Sequence, residues 1–211
     1  MPEQSNQEYG KGYFLIANPV LPDPNFSRTV ILLCNHDDMG SFGLVINRSA
    51  LVNSKEVFKE MGMSGSPSGK IYVGGPVSPS QVFYLCRSEE PLPQLETICD
   101  GVYLGMSAEL LDNLMTRFKD PEKNIRFYLG YSGWGAGQLG DEMTRLSWLT
   151  SQACSKFVFQ ENEDGIWANV VRSLGKDYEY LIHKLQLTLN GTKYQRDAGL
   201  LVSASGQSAN I

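Results

Sequence analysis

Short apolar runs interspersed with helical stripes predict an α+β fold with a mixed, largely antiparallel sheet. The first observation is residues 29–35 and 42–47, two apolar runs joined by the polar turn His36-Asp-Asp-Met-Gly40, as in a hairpin. The second is that further strand candidates follow one another with no helix between them, which argues against a doubly wound parallel sheet. The third is the spacing of Leu110, Leu111, Leu114, Met115 and Phe118, which lines one face of a helix.

In chain order, residues 1–11 are polar and read as a disordered tail. Residues 13–17 form a short apolar strand. Residues 18–27 hold three prolines, which lack a ladder donor, so this stretch is a long ordered loop. Residues 29–35 are β-branched and apolar and form a buried strand. Asn53 followed by Glu56 has the spacing of a capping box, and Gly62 ends that helix. A Ser/Gly/Pro linker covers residues 64–69. Residues 71–73 form a strand that closes on Gly74-Gly75-Pro76. Residues 81–87 and 102–106 form two more, separated by a proline-containing loop. Ser107 caps the helix with the Leu stripe, and Pro121 lies beyond its end. Residues 125–129 form a strand leading into the glycine-rich loop Gly130-Tyr-Ser-Gly-Trp-Gly-Ala-Gly137. Residues 138–146 are helical with Leu139, Met143 and Leu146 inward, and residues 157–159 are a short strand. Trp167, Val170, Val171 and Leu174 mark a helix closed by Gly175. Tyr178, Leu181, Ile182 and Leu185 repeat the pattern, with Asp177 as the cap. The domain therefore spans residues 12–185, and residues 186–211 are a C-terminal tail or appendage.

At 211 residues and 42% hydrophobic, the chain holds enough apolar surface for one sizeable core. The net charge of −5 opposes a mainly electrostatic nucleic-acid binder, which needs clustered Lys and Arg. The densest basic stretch, residues 117–126, also holds Asp120 and Glu122 and reads as a mixed solvated face. The N-terminus lacks the basic start and apolar stretch of a secretory signal, and no apolar run approaches the roughly 18 residues that cross a bilayer. Cys34, Cys86, Cys99 and Cys154 are far apart. They read as reduced, buried thiols of a cytoplasmic protein.

Several groups of residues have chemical potential. Gly135-Ala-Gly137-Gln-Leu-Gly140 is a literal G-x-G-x-x-G between a strand and a helix, with Glu161 about 20 residues beyond. The second half of a dinucleotide fold is missing. The motif also reads as a tight glycine turn or as a helix start that holds an anion, and no cofactor is expected. Cys34 and His36 fall on one face of an alternating strand with Arg28 ahead of it. A nearby cation favours the thiolate, which makes Cys34 and His36 the candidate catalytic residues. Against this, Cys34 continues an apolar run, as a buried structural thiol would. His36-Asp37-Asp38 is the one His–carboxylate cluster, and His183 is the other histidine; no metal site is expected from so few ligands. Tyr131 and Trp134 either present an aromatic contact surface or, in the case of Trp134, fold back over the sheet.

Four stretches together resemble the AlgH/YqgE family of bacterial proteins: GYFLIANPVLPDPNFSRTVILLCNHDDMGSFGLVINR from Gly12, VGGPV from Val73, GVYLGMSAELL from Gly101 and LGYSGWGAGQLGDEMTRLSWL from Leu129. The resemblance implies a compact α+β domain with a small barrel-like core surrounded by helices. It links the chain by name to transcriptional regulation of alginate production, and it implies no established activity or cofactor. Two positions depart from the family pattern: Gly140 stands where an acidic residue is usual, and Leu146 where an asparagine is.

The expected function is that of a bacterial cytoplasmic, non-enzymatic small-ligand-binding or regulatory domain. The alternative is a thiol-dependent enzyme or redox sensor centred on Cys34. Arg28, Cys34, His36, Asn47, Gly74, Gly75, Pro76, Tyr131, Trp134, Gly135, Gly137 and Gln138 lie at strand ends, where a rigid sheet presents function. They are expected to line one pocket. There the glycines would let backbone N–H groups approach, the helix start at Gln138 would add a positive dipole end, and Arg28 would supply a planar donor fork. The expected occupant is a small anionic ligand or a protein partner, with direct nucleic-acid binding disfavoured and no membrane involved. Gly137→Val is expected to destabilise more than Trp134→Ala.

Overall fold

A computed structural model describes residues 8–19, 21, 23, 25–52, 54–60 and 70–182. Its strands are β1 (Tyr13–Ala17), β2 (Val30–Asp37), β3 (Gly40–Val45), β4 (Ile71–Val73), β5 (Val77–Arg87), β6 (Glu96–Cys99), β7 (Val102–Gly105), β8 (Ile125–Gly135) and β9 (Trp148–Gln152). Its helices are α1 (Ser54–Glu60), α2 (Ala108–Arg117), α3 (Pro121–Asn124), α4 (Gln138–Thr144), α5 (Ser155–Val158) and α6 (Ile166–Ser173). The strands join one sheet in the order β6-β7-β5-β8-β3-β2-β1-β9. β4 lies off this path, parallel to β8, while the pairings along the path are antiparallel. The sheet curls as a partial barrel, bringing Gly12, just ahead of β1, against the Ile98 carbonyl of β6. This is the α+β architecture that the hairpin pattern predicts. Packing divides the chain after Val170; the second unit is described through Ile182 and includes a 3-10 turn at Lys176–Tyr178.

Alternation sorts the strand side chains into buried layers. Leu15 and Ala17 of β1, Ile31 and Leu33 of β2 and Val45 of β3 pack with Trp134, Leu139 and Trp148. A second cluster joins Ile71, Tyr84 and Phe127 to Phe58 of α1 and Leu111 and Leu114 of α2. The Ser107 hydroxyl accepts from the Leu110 N–H at 3.3 Å and caps α2, as its stripe predicts.

Several elements differ from the sequence-based expectation. The stretch from Gly130 to Gly135 is not a loop. It continues β8, with Ser132, Gly133, Trp134 and Gly135 paired to β3, whose ladder bonds offset the poor strand preference of glycine. β5 starts at Val77, ahead of the expected residue 81, with a register shift between Val77 and Val82. β6 and β9 went unanticipated: one follows a proline-containing stretch, and the other directly follows a helix. Residues 155–158 are a helical turn, not a strand. Leu146 does not point inward; it is exposed with φ at 58°, a left-handed conformation that asparagine adopts more readily than leucine. Asp177 sits inside the 3-10 turn and caps nothing. Asn53, Gly62, the 64–69 linker, His183 and Leu185 lie outside the described residues.

One exposed-to-buried ion pair ties β4 to the 3-10 turn Glu163–Gly165. Lys70 Nζ donates to both Glu163 carboxylate oxygens, at 2.8 and 3.1 Å, and the Ser49 hydroxyl bonds the same carboxylate. Burial raises the Glu163 carboxyl, but the hydrogen bonds from Lys70 and Ser49 outweigh it and hold the group at about 2, against an ordinary value of 4.5. The folded chain therefore binds this proton less tightly than the unfolded chain. The pair contributes fully above about pH 5, and its contribution drains as the pH falls towards 2. Urea denaturation across this range is expected to show Glu163→Gln less stable than the parent at pH 7, with the gap closing between about pH 4.5 and 2.

Candidate functional site

The far end of the β2–β3 hairpin carries the most developed concavity near the predicted residues. Its floor is aromatic. Phe42 of β3 and Tyr131 of β8 form it, meeting edge to face at 5.4 Å, and both rest on the buried Phe83 of β5, with ring centroids 5.4 and 5.9 Å away. The ladder explains the meeting: Phe42 pairs with Gly133, so no side chain at 133 covers the rings from that register position. Trp134 closes one wall and Val77 another, and the groove encloses about 470 Å³. Met39, at the hairpin tip, is 86% exposed beside it.

The rim is acidic. Asn35 Nδ2 donates to Asp37 Oδ2 at 2.8 Å, and the Met39 N–H donates to Asp37 Oδ1 at 2.8 Å. Those two bonds, led by the one from Asn35, hold the Asp37 carboxyl below its usual range. A second cavity of about 420 Å³ shares Asp37, Gly40 and Ser41 with the groove and adds His36 and Asp38. Here His36 Nδ1 bonds the Ser41 hydroxyl at 2.7 Å, and its ring meets that of Tyr9 at 5.0 Å. Among the described residues, no Lys or Arg lines either cavity.

The twelve expected residues do not share one pocket. His36, Tyr131, Trp134, Gly135 and Gly137 line one or other of the two adjoining cavities. Gln138 lies beside them, but its side chain is already engaged: Oε1 accepts from the Gly135 N–H at 3.1 Å and Nε2 donates to Glu142 at 3.2 Å. Arg28 and Asn47 stand at the opposite end of the hairpin, eight residues of β2 away. There Asn47 accepts from the Val30 N–H and donates to the Arg28 carbonyl, both at 2.8 Å, bracketing the strand start. Arg28 therefore does not converge with the Gly133–Gly137 segment. Gly74 and Gly75 are buried under β8, and Pro76 is exposed just ahead of Val77. α4 is only seven residues long, and its first residue, Gln138, turns its side chain back to the Gly135 N–H.

Cys34 is fully buried and donates to the Leu32 carbonyl. The register of β2 against β3 shifts between Leu33 and Asn35. That irregularity breaks the alternation expected to place Cys34 and His36 together, leaving the thiol inside and His36 exposed. Burial, reinforced by the charge of Glu96, pushes the thiol far above its ordinary range, the reverse of what a nucleophile or sensor needs. Burial also raises Cys86 to about 12 and Cys99 to about 11. No group of three or more His, Cys, Asp or Glu side chains among the described residues is arranged to hold a metal ion. The dinucleotide reading of Gly135–Gly140 fails on topology. β8 is antiparallel to both β3 and β5, and the strand after α4 pairs with β1 at the sheet edge.

Trp134 is core as well as wall. It is 7% exposed, and its Nε1 donates to Glu142 Oε2 at 3.0 Å. The same oxygen accepts from Trp148 Nε1 at 2.7 Å. Sequence reasoning missed Asn35, Met39, Ser41, Phe42 and Val77. The signals were a solvent-facing methionine in a polar turn and the alternation that sends Phe42 to the face of Tyr131.

No helix among the described residues is long and apolar enough to cross a membrane. A family model described as AlgH-like matches residues 14–179. A UPF0301 protein from Cytophaga hutchinsonii is 37% identical over 172 residues, covering 81% of this chain and 93% of the relative. One from Magnetococcus marinus is also 37% identical, over 173 residues, covering 81% and 92%. The solution structure of the AlgH protein from Pseudomonas aeruginosa superposes with a TM-score of 0.65 at 33% identity, covering 82% of this chain and 93% of that one. A crystal structure of a protein from Corynebacterium diphtheriae shares the fold with a TM-score of 0.66 at 19% identity, covering 84% and 93%. With a family model matched over residues 14–179, relatives 37% identical over four-fifths of its length and the fold in common, this chain belongs to the AlgH-like family.

Proposed function

We propose that this is a non-catalytic, cytoplasmic recognition domain whose aromatic groove at the β2–β3 tip takes a short segment of a protein partner. The observation that carries the reading is the pairing of an open aromatic floor with a rim of carboxylates. Phe42 and Tyr131 are half-buried and Met39 is exposed, so an apolar side chain gains contact area without displacing any core residue. Asp37 stays ionised and Asp38 stands beside it, which favours a lysine or arginine next to that apolar residue over an acidic one. A small anion is the weaker occupant of this groove, because no Lys or Arg among the described residues lines it. The free cysteines support a reducing compartment.

The test is a ¹⁵N NMR titration with Ac-Lys-Leu-Phe-Lys-NH2 and, in parallel, Ac-Glu-Leu-Phe-Glu-NH2. Saturable shifts at Ser41, Gly133 and the Trp134 indole are expected with the lysine peptide alone. Asp37→Asn is expected to weaken that binding by about 2–5-fold, the scale of one exposed ion pair. Shifts of equal size with both peptides, or none at these positions, would overturn the reading.

A further inference from the structure

Arg126 is the one cation of the described residues that is sealed in the core region of the sheet. It is 9% exposed. β8 explains its position: Ile125 and Phe127 face the cluster around Phe58, so Arg126 and Tyr128 face the other way. Tyr72, the register partner of Tyr128 on parallel β4, shares that face. The guanidinium lies over the Tyr72 ring at 4.9 Å and over the Phe159 ring at 5.8 Å. Its Nη2 donates to the Gln160 carbonyl at 2.6 Å. Its Nη1 faces the Tyr128 hydroxyl; both atoms are sealed from solvent, and neither has a further hydrogen-bond partner.

Buried guanidinium groups are almost always paired with a carboxylate, and among the described residues none lies within ion-pair distance of Arg126. The stacking on Tyr72 and Phe159 offsets part of that deficit but supplies no negative charge. The unpaired charge borders a cavity of about 390 Å³, lined also by Lys70, Tyr72, Ile125, Glu122 and Glu161, at the small end of ligand-pocket size. Lys70 is neutralised by Glu163. What remains around the cavity is one buried cation at the wall and two exposed carboxylates, Glu122 and Glu161, at the mouth. A plain dianion such as phosphate meets net repulsion there. A molecule with a carboxylate at one end and an ammonium close by meets complementary charge at both.

We propose that this cavity binds a small zwitterionic carboxylate of the α-amino acid class, its carboxylate held by Arg126 and its ammonium by Glu161 and Glu122. The site is separate from the hairpin groove and stands whether or not that groove binds a peptide. The guanidinium suits the carboxylate because it keeps its charge and holds the N–H donors not spent on Gln160 in one plane, which an ammonium does not. The side chain of the ligand would rest on Tyr72.

Four probes test this with the full chain: L-leucine, 4-methylpentanoate (the same carbon skeleton without the ammonium), isoamylamine (without the carboxylate) and inorganic phosphate. The readouts are the Arg126 Nε–H resonance, the Ile125 and Arg126 amides, and the melting temperature. Leucine is expected to shift these resonances saturably and to raise the melting temperature, 4-methylpentanoate to bind at least about 10-fold more weakly, and the other two to have no effect. Arg126→Lys is expected to weaken leucine by about 10-fold or more. Because a buried variant can lose its fold, Glu161→Gln, at an exposed position, is the second test; it should leave the melting temperature of the free protein unchanged and narrow the preference for leucine over 4-methylpentanoate. Phosphate binding as tightly as leucine, leucine shifts that map away from Arg126, or no saturable effect from any probe would overturn the proposal.

Discussion

Trp134→Ala is expected to cost about 3–5 kcal/mol of folding free energy, the range for truncating a large buried aromatic, and Gly137→Val only about 1–3 kcal/mol. This reverses the order that the sequence alone suggests, in which Gly137 is the constrained residue of a glycine turn and Trp134 a loop ornament. The indole packs against Leu15, Ile31, Leu33 and Trp148 in a buried cluster and meets the Trp148 ring edge to face at 6.2 Å. Removing it leaves a cavity between two layers already joined by the sheet, so little can collapse into the space. It also frees one of the two indole donors that Glu142 Oε2 accepts. Gly137, by contrast, has φ at 75° but no atom within 4 Å of where a Cβ would sit. Valine there suffers only the left-handed backbone and a restricted χ1. Chemical denaturation of both variants checks the order, and at about 2–4 °C per kcal/mol for a chain of this size the melting temperatures should differ on the order of 5–10 °C. Trp134→Phe, which keeps most of the ring but not the N–H, is expected between the parent and Trp134→Ala. If Gly137→Val is the less stable of the two, the indole is not part of the core.

The elements that the sequence revealed are those where one periodicity dominates. Residues 13–17 and 30–34 are apolar throughout and became β1 and most of β2 with both faces covered. The stripe at Leu111 and Leu114 sits behind a serine cap and became α2. Legibility ends where tertiary contacts override local preference. Gly130, Gly133 and Gly135 disfavour a strand, yet β8 runs through them because β5 bonds it as far as Tyr131 and β3 takes over from Ser132 to Gly135. Phe157 to Phe159 favours a strand, yet no neighbour pairs with it, and Phe159 instead lies under the guanidinium groups of Arg87 and Arg126. The candidate site was half legible. His36, Tyr131 and Trp134 come together because hairpin register does so locally, whereas Arg28 and Asn47 were misplaced because a strand end was identified without its direction. Arg126 was read as part of a solvated basic stretch. Its signal was present in Ile125-Arg-Phe-Tyr-Leu129, where one charge interrupts an otherwise apolar strand at an alternating position.

Gly75→Ala is expected to be the most damaging single-methyl change at any of the described glycines, with a loss of about 3–5 kcal/mol or failure to accumulate as folded protein. The chain between β4 and β5 passes directly under β8 at this point. A Cβ on Gly75 would sit 2.2 Å from the Tyr131 carbonyl carbon and 2.3 Å from both the Ser132 nitrogen and the Tyr131 oxygen. All three are backbone atoms, so no side chain can rotate aside. They also belong to a strand that is held on one edge by Val77 opposite Tyr131 and on the other by Gly43 opposite Ser132. Making room means lifting β8 and stretching ladder bonds on both sides. Gly135, a few residues further along β8, is the control. It belongs to the G-x-G-x-x-G that draws attention in the sequence, yet open space surrounds its would-be Cβ. Gly135→Ala is therefore expected to change stability by no more than about 0.5–1 kcal/mol, with a gain favoured, since alanine loses less backbone entropy on folding. Urea midpoints for the two variants decide the matter. A Gly75→Ala midpoint close to that of Gly135→Ala would mean that β8 can move away from the β4–β5 connection, and the rigid crossing that seats Val77 and Tyr131 at the edge of the aromatic groove would be lost as an explanation.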